Sequence, residues 1–214
     1  MGKSFRYLLL SFRNNYLAMP AIAAVLVLLC YIGGVPETGD GLFSQYFLMY
    51  PSFLVITVLF SGVSLTTQLL STALSYGANR RDYFRAMLAL NLLNTLLFWL
   101  SDCLISLLPH LLGWACADTL DPVIVSRSLP FILLFASCAG CALGELVYRH
   151  RIITGLLAGL VGAGSVVSAG FFHAMEADTG LWGDLPWLLP VILLALSGLC
   201  LLRVRSKTMS AVVR

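Results

Sequence analysis

The chain has 214 residues, of which 59% are hydrophobic and only 11% charged, with a mean hydropathy of +0.92. A soluble domain carries about 25% charged residues, so this chain holds more apolar surface than one water-soluble core can hide, and composition points to a polytopic membrane protein. The net charge is only +3, with no basic face outside the segments that flank apolar runs, which argues against nucleic acid as a partner.

At the N-terminus, residues 2–15 read "GKSFRYLLLSFRNN". Phe5, Leu8, Leu9 and Phe12 follow the i, i+3, i+4, i+7 spacing of one helix face, with Lys3, Arg6 and Arg13 off it. The pattern predicts an amphipathic interfacial helix over residues 1–15, with a frayed basic leader as the plainer alternative. Gly2-Lys3-Ser4 imitates the end of a phosphate-binding loop, but it has no upstream glycine or strand and cannot cradle a phosphate. Ala21-Ile22-Ala23 opens the following apolar run instead of closing it, so the run reads as an uncleaved first helix and not a signal peptide.

A bilayer-crossing helix needs about 20 apolar residues. Six stretches qualify, at about 16–35, 47–69, 85–108, 130–148, 152–172 and 187–202, the fourth and fifth separated by the turn Arg149-His150-Arg151. The expected fold is therefore all-α, an integral membrane domain of six transmembrane helices over residues 16–214. Twelve of the thirteen Lys and Arg fall on one side of these spans, Arg127 being the exception, and seven of the ten acids fall on the other. The positive-inside rule places both termini in the cytoplasm and the protein in a cell membrane, with Trp114, Trp182 and Trp187 near the outer interface.

Several residues stand out inside or beside the apolar runs. Asn91, Asn94, Thr95 and Asp102 of the third span fall within an arc of about 100° on a helix. Such a stripe faces either other helices, through hydrogen bonds, or a wet translocation path; Asp102 also lies near an outer vestibule. Glu145 is expected to pair with Arg149 one turn on. In the fifth span Gly155, Gly159 and Gly162 line one face and suit close packing, within the bundle or against a second subunit. Of the six cysteines, Cys138 and Cys141 spell a CxxC, which mid-membrane and without a second ligand pair reads as packing. His173 and Glu176 are too few for a metal site. No hydrolase, metalloprotease or nucleotide-binding motif is present, so no catalytic residue, metal or cofactor is assigned to this chain.

The densest polar knot is "LSYGANRRDYFRAML", residues 74–88. Asn79 is a good helix N-cap, and Asp82 sits in the capping-box position, where an acid also suits the helix dipole. Gly77 permits a sharp bend just before the cap. The knot predicts a rigid cytoplasmic tip over residues 67–84, with Tyr83 and Phe84 as apolar anchors and Arg80, Arg81 and Arg85 free for acids on a partner or for anionic lipid head groups; the plainer alternative is a topological signal, arginines that keep the loop inside and a cap that starts a helix.

The longer stretch "LSYGANRRDYFRAMLALNLL" resembles the segment joining the second and third helices of ABC-2-type permeases, the membrane subunits of many bacterial ABC exporters. Gly77, Arg80, Arg81, Asp82, Tyr83 and Phe84 match its order of glycine, basic, acidic and aromatic residues, and the six spans and basic leader extend the likeness over the chain. The segment between the fifth and sixth spans, residues 173–186, is shorter than the family often has. The resemblance implies a half-transporter that pairs with a second permease, as a homodimer or heterodimer. Separate ABC ATPase subunits, carrying ATP and Mg, would dock on the tip formed by Gly77, Asn79, Arg80, Arg81, Asp82, Tyr83, Phe84 and Arg85. It also implies a dimer-axis role for the fifth-span glycines and export as the direction, with peptides, lipophilic drugs and lipids all compatible as cargo. A reading from another class is a non-transport membrane scaffold, sensor subunit or membrane enzyme; an ATPase encoded beside this chain would separate the two.

Overall fold

The computed structural model describes residues 2–38, 49–116, 129–149 and 188–210. Every regular element among them is helical: α1 (Gly2–Ile32), α2 (Val35–Thr38), α3 (Tyr50–Thr66), α4 (Gln68–Ser75), α5 (Arg80–Leu111), α6 (Leu129–Arg149) and α7 (Leu188–Ser210). Among the described residues, four stretches are long and apolar enough to cross a membrane: Ser4–Ile32, Tyr50–Ser75, Arg80–Leu111 and Leu129–Leu146. They match the first four predicted spans; α7 overlaps the sixth and runs two turns further, to Ser210. The predicted fifth span, its glycines Gly155, Gly159 and Gly162, and the turn at His150-Arg151 lie outside the described residues.

The N-terminal leader and the first span, predicted as separate elements, form one helix of 31 residues. No glycine or proline falls between residues 3 and 19, so nothing there interrupts the hydrogen-bond ladder. Leu8 and Phe12, two residues of the predicted apolar face, are buried against the start of α5 in a cluster with Tyr83, Met87 and Leu90.

α3 and α4 are one apolar run interrupted at Thr67. Its backbone N–H and its Oγ1 both donate to the Val63 carbonyl, at 3.0 and 2.8 Å. Thr66 Oγ1 likewise turns back toward Gly62 and Val63. Hydroxyls that compete for carbonyls one turn back bend helices, which accounts for the break.

The most extensive contact between described helices joins α3 to α6. It is made of glycine. Gly62 on α3 lies against the backbone of Ser137, Gly140 and Cys141, and a Cβ on it would approach Cys141 N to 2.9 Å. Gly140 lies against the Leu59 backbone, and Gly144 against Thr66 and Val63. Backbones this close allow an interhelical bond from Thr66 Oγ1 to the Cys141 carbonyl at 3.0 Å.

The core is banded along one side of each helix, and the opposite sides stay apolar and bare. On α5, Leu92, Leu96, Leu100 and Leu104 form an exposed ridge at four-residue spacing, continued by Leu107 and Leu111. Leu17, Val25 and Leu28 on α1, and Val191, Leu199 and Leu202 on α7, are exposed as well. Soluble monomers rarely leave apolar patches beyond a few hundred Å² open, so this surface calls for an apolar surround.

Candidate functional site

The polar knot forms a tip built from two abutting helix caps. α4 ends in a Schellman motif: Gly77 has φ +77°, its N–H bonds the Leu74 carbonyl at 3.0 Å, and the Ala78 N–H bonds the Ala73 carbonyl at 3.0 Å. The left-handed backbone at Gly77 is one that side chains with a Cβ adopt at a cost of about 1–2 kcal/mol. Two residues later Asn79, with extended backbone, accepts a hydrogen bond from the Arg81 N–H at 3.2 Å and starts α5, as the sequence predicts. Asp82 lies in the first turn. Gly77 and Asn79 therefore make a short, hydrogen-bonded corner between two helices.

The two residues expected as apolar anchors lie inside the fold. Tyr83 is fully buried, and its hydroxyl donates to the Leu65 carbonyl at 2.6 Å, beside the α3–α4 break; Phe84 is 9% exposed and packs in the same cluster. Both are spent inside the chain, because the first turn of α5 points one face back at α3 and α1. The aromatic that the tip does present is Tyr76, 83% exposed, which sequence reasoning passed over although it stands next to Gly77. A helix C-cap residue projects beyond the packed turn, and that position is the signal that identifies it.

Arg80, Arg81 and Arg85 come together on one side of the tip, where with Asn79 and Phe84 they line a groove of about 1090 Å³ completed by Leu74, Ala78, Leu88, Arg205 and Met209. Arg80 donates to the Met209 carbonyl at 2.9 Å and so ties the start of α5 to the end of α7. A cation on the last carbonyls of a helix also suits the helix dipole. The participation of Arg205 and Met209 was not visible in sequence. Nearby, Glu145 pairs with Arg203 of α7 at 3.5 Å, a contact the sequence reading did not foresee; the side chain of Arg149, its expected partner, lies outside the described ones. α7 lies along α6, so a half-exposed interhelical cation meets the mostly buried carboxylate.

Asn91, Asn94, Thr95 and Asp102 all lie on the buried face of α5. They do not converge on one point. Asn91 Nδ2 meets Cys141 Sγ of α6 at 3.5 Å, Asn94 Oδ1 accepts from Tyr16 of α1, and Thr95 Oγ1 returns to the Asn91 carbonyl at 2.9 Å. Asp102 is 2% exposed and stands about 16 Å along the helix from Asn91. Asn91 Oδ1, Asn94 Nδ2 and Asp102 Oδ1 have no hydrogen-bond partner among the described residues. Buried polar atoms without partners each cost about 1–3 kcal/mol, a cost hard to explain by packing alone. Cys138 and Cys141 are buried and unbridged.

Asp102→Asn removes the charge at nearly constant volume. Since Oδ1 has no partner to lose, thermal stability is expected to hold or rise by about 1 kcal/mol, while any transport that uses the acid falls several-fold. Paired melting and transport measurements check this; unchanged transport would leave Asp102 a tolerated buried acid.

No protein-family model, curated protein or solved structure matches the chain.

Proposed function

We propose that the chain is a cell-membrane permease subunit of an ABC-type exporter, driven by separate ATPase subunits and paired with a second permease to form the translocation path. It has six spans with both termini in the cytoplasm. The observation that carries this reading is the tip between α4 and α5. A Schellman cap and an asparagine cap, two residues apart, make a rigid corner that presents Tyr76 and a group of arginines beyond an otherwise apolar helix pair. A subunit without a nucleotide site of its own receives force through such a contact, and a floppy loop would absorb it. Tyr76, Gly77 and the exposed arginines Arg81 and Arg85 carry the docking role, while Tyr83 and Phe84 seat the corner from inside. The sequence resemblance supplies the partner class, and the unpartnered polar atoms of Asn91, Asn94 and Asp102 support a polar route along α5.

The partner assignment is tested by purification from native membranes. An ATPase with nucleotide-binding loops is expected to co-purify and hydrolyse ATP, whereas the isolated chain has no turnover. An active isolated chain, or no associated ATPase, removes the reading. The topology is tested separately. Single cysteines replacing Asp40, Asp121 or Asp178 are expected to react with an impermeant reagent in intact cells, and those replacing Arg81 or His150 to be protected. External labelling at Arg81 reverses the orientation.

A further inference from the structure

The groove beside the tip carries a charge imbalance that extends beyond Arg81 and Arg85, the arginines given a docking role, to Arg80 and Arg205. Arg80 and Arg81 come from the first turn of α5, Arg85 from its second, and Arg205 from α7. Among the described residues, no carboxylate lines the groove. Of the acids on the neighbouring helices, Glu145 is engaged with Arg203. The guanidinium groups of Arg81, Arg85 and Arg205 have no hydrogen-bonded or ion-paired partner among the described residues. Four like charges on one cavity repel each other, and an anion relieves that repulsion.

Apart from Asn79, the remaining lining among the described residues is apolar. Phe84 and Leu88 on α5 and Met209 on α7 form a floor between the arginines. At 1.5 Å per residue, Leu88 lies about 12 Å along α5 from Arg80, toward the apolar middle of the helix. α7 ends where α5 begins, tied there by the Arg80–Met209 bond, so Arg205, one turn inside Met209, stands level with the Arg85 turn. The groove is therefore basic at the tip end and apolar further in, and its volume of about 1090 Å³ far exceeds that of an inorganic anion. Basic pockets between membrane helices on the cytoplasmic side suit anionic head groups.

We propose that this groove is a binding site for an anionic phospholipid of the cytoplasmic leaflet. Its phosphate is held by Arg85 and Arg205, with Arg80 and Arg81 at the rim and the upper acyl chain along Phe84 and Leu88. The lipid bridges α5 to α7 next to the docking corner and so stiffens it. The inference rests on the membrane-spanning part of the proposed function and not on the ATPase: failure to recover an ATPase leaves it standing.

The test uses the full-length chain in detergent, followed by native mass spectrometry and thermal melting. Phosphatidylglycerol is expected to remain bound at least tenfold better than phosphatidylcholine and to raise the melting temperature, an advantage that shrinks at high salt. Arg85→Gln with Arg205→Gln should weaken phosphatidylglycerol binding roughly 25-fold, and Arg81→Gln alone roughly fivefold, since each arginine near an anionic surface contributes about that factor. The single variant removes an exposed side chain and decides the matter if the double variant does not fold. Equal retention of the two lipids, an equal thermal shift from inorganic phosphate, or an unchanged lipid preference in the variants overturns the proposal. Variants that lose an ATPase partner while keeping the lipid preference also overturn it, by assigning the arginines to a protein contact.

Discussion

Replacing Gly140 with leucine is expected to abolish the folded protein. Even a single Cβ at this position runs into the Leu59 backbone, and backbone cannot swing aside as a side chain can. Overpacking a tight core costs about 1–3 kcal/mol even where side chains adapt, and here the two helices must separate. Separation also breaks the bond from Thr66 to the Cys141 carbonyl and strips the contacts that hold apolar helices together in lipid, where no hydrophobic force brings them back. Gly62→Leu meets the other side of the same interface and is expected to behave alike. Gly198→Ala is the control: no described residue lies within 4 Å of the added Cβ, and the change should be neutral or stabilise α7 by about 0.5–1 kcal/mol. Size-exclusion profiles and melting curves in detergent check all three. A monodisperse, wild-type-like Gly140→Leu protein would refute the close crossing of α3 and α6.

Tyr76→Ala is expected to leave the fold intact and cut ATPase co-purification and coupled export tenfold or more. The side chain is 83% exposed, so its removal should change stability by no more than about 0.5 kcal/mol. An exposed aromatic that becomes a buried anchor on binding is typically worth 2 kcal/mol or more of affinity. Gly77→Val perturbs the same corner through the backbone. No described residue lies within 4 Å of the new Cβ, so its cost is the left-handed φ, about 1–2 kcal/mol, paid in the geometry of the tip and not in the bundle. Phe84→Ala is not equivalent, because Phe84 is buried and its loss would damage the cluster that seats α5. Abundance measured with ATPase recovery separates these cases. Full ATPase binding and export in both Tyr76→Ala and Gly77→Val would reduce the tip to a topological signal.

Local chemistry was legible in the residues themselves. The helical class follows from long apolar runs, and the corner follows from Gly77 and Asn79, whose preferences for a left-handed cap and an N-cap act over one or two residues and need no distant partner. The burial of Asn91, Asn94 and Asp102 was readable from their shared arc, because periodicity alone assigns residues to a face. The spacing Gly140-xxx-Gly144 could also have been read as a packing face, although only the fold supplies Gly62 as its counterpart. What tertiary structure alone decided is which neighbour each face meets. It turned Tyr83 and Phe84 inward and left Tyr76 outside, gave Glu145 to Arg203, and brought Arg205 and Met209 to the arginines of α5 across more than a hundred residues of chain. Those outcomes depend on how helices cross and at what height. Close backbone approach and the Arg80–Met209 bond set both, and neither leaves a mark in the spacing of residues along one helix.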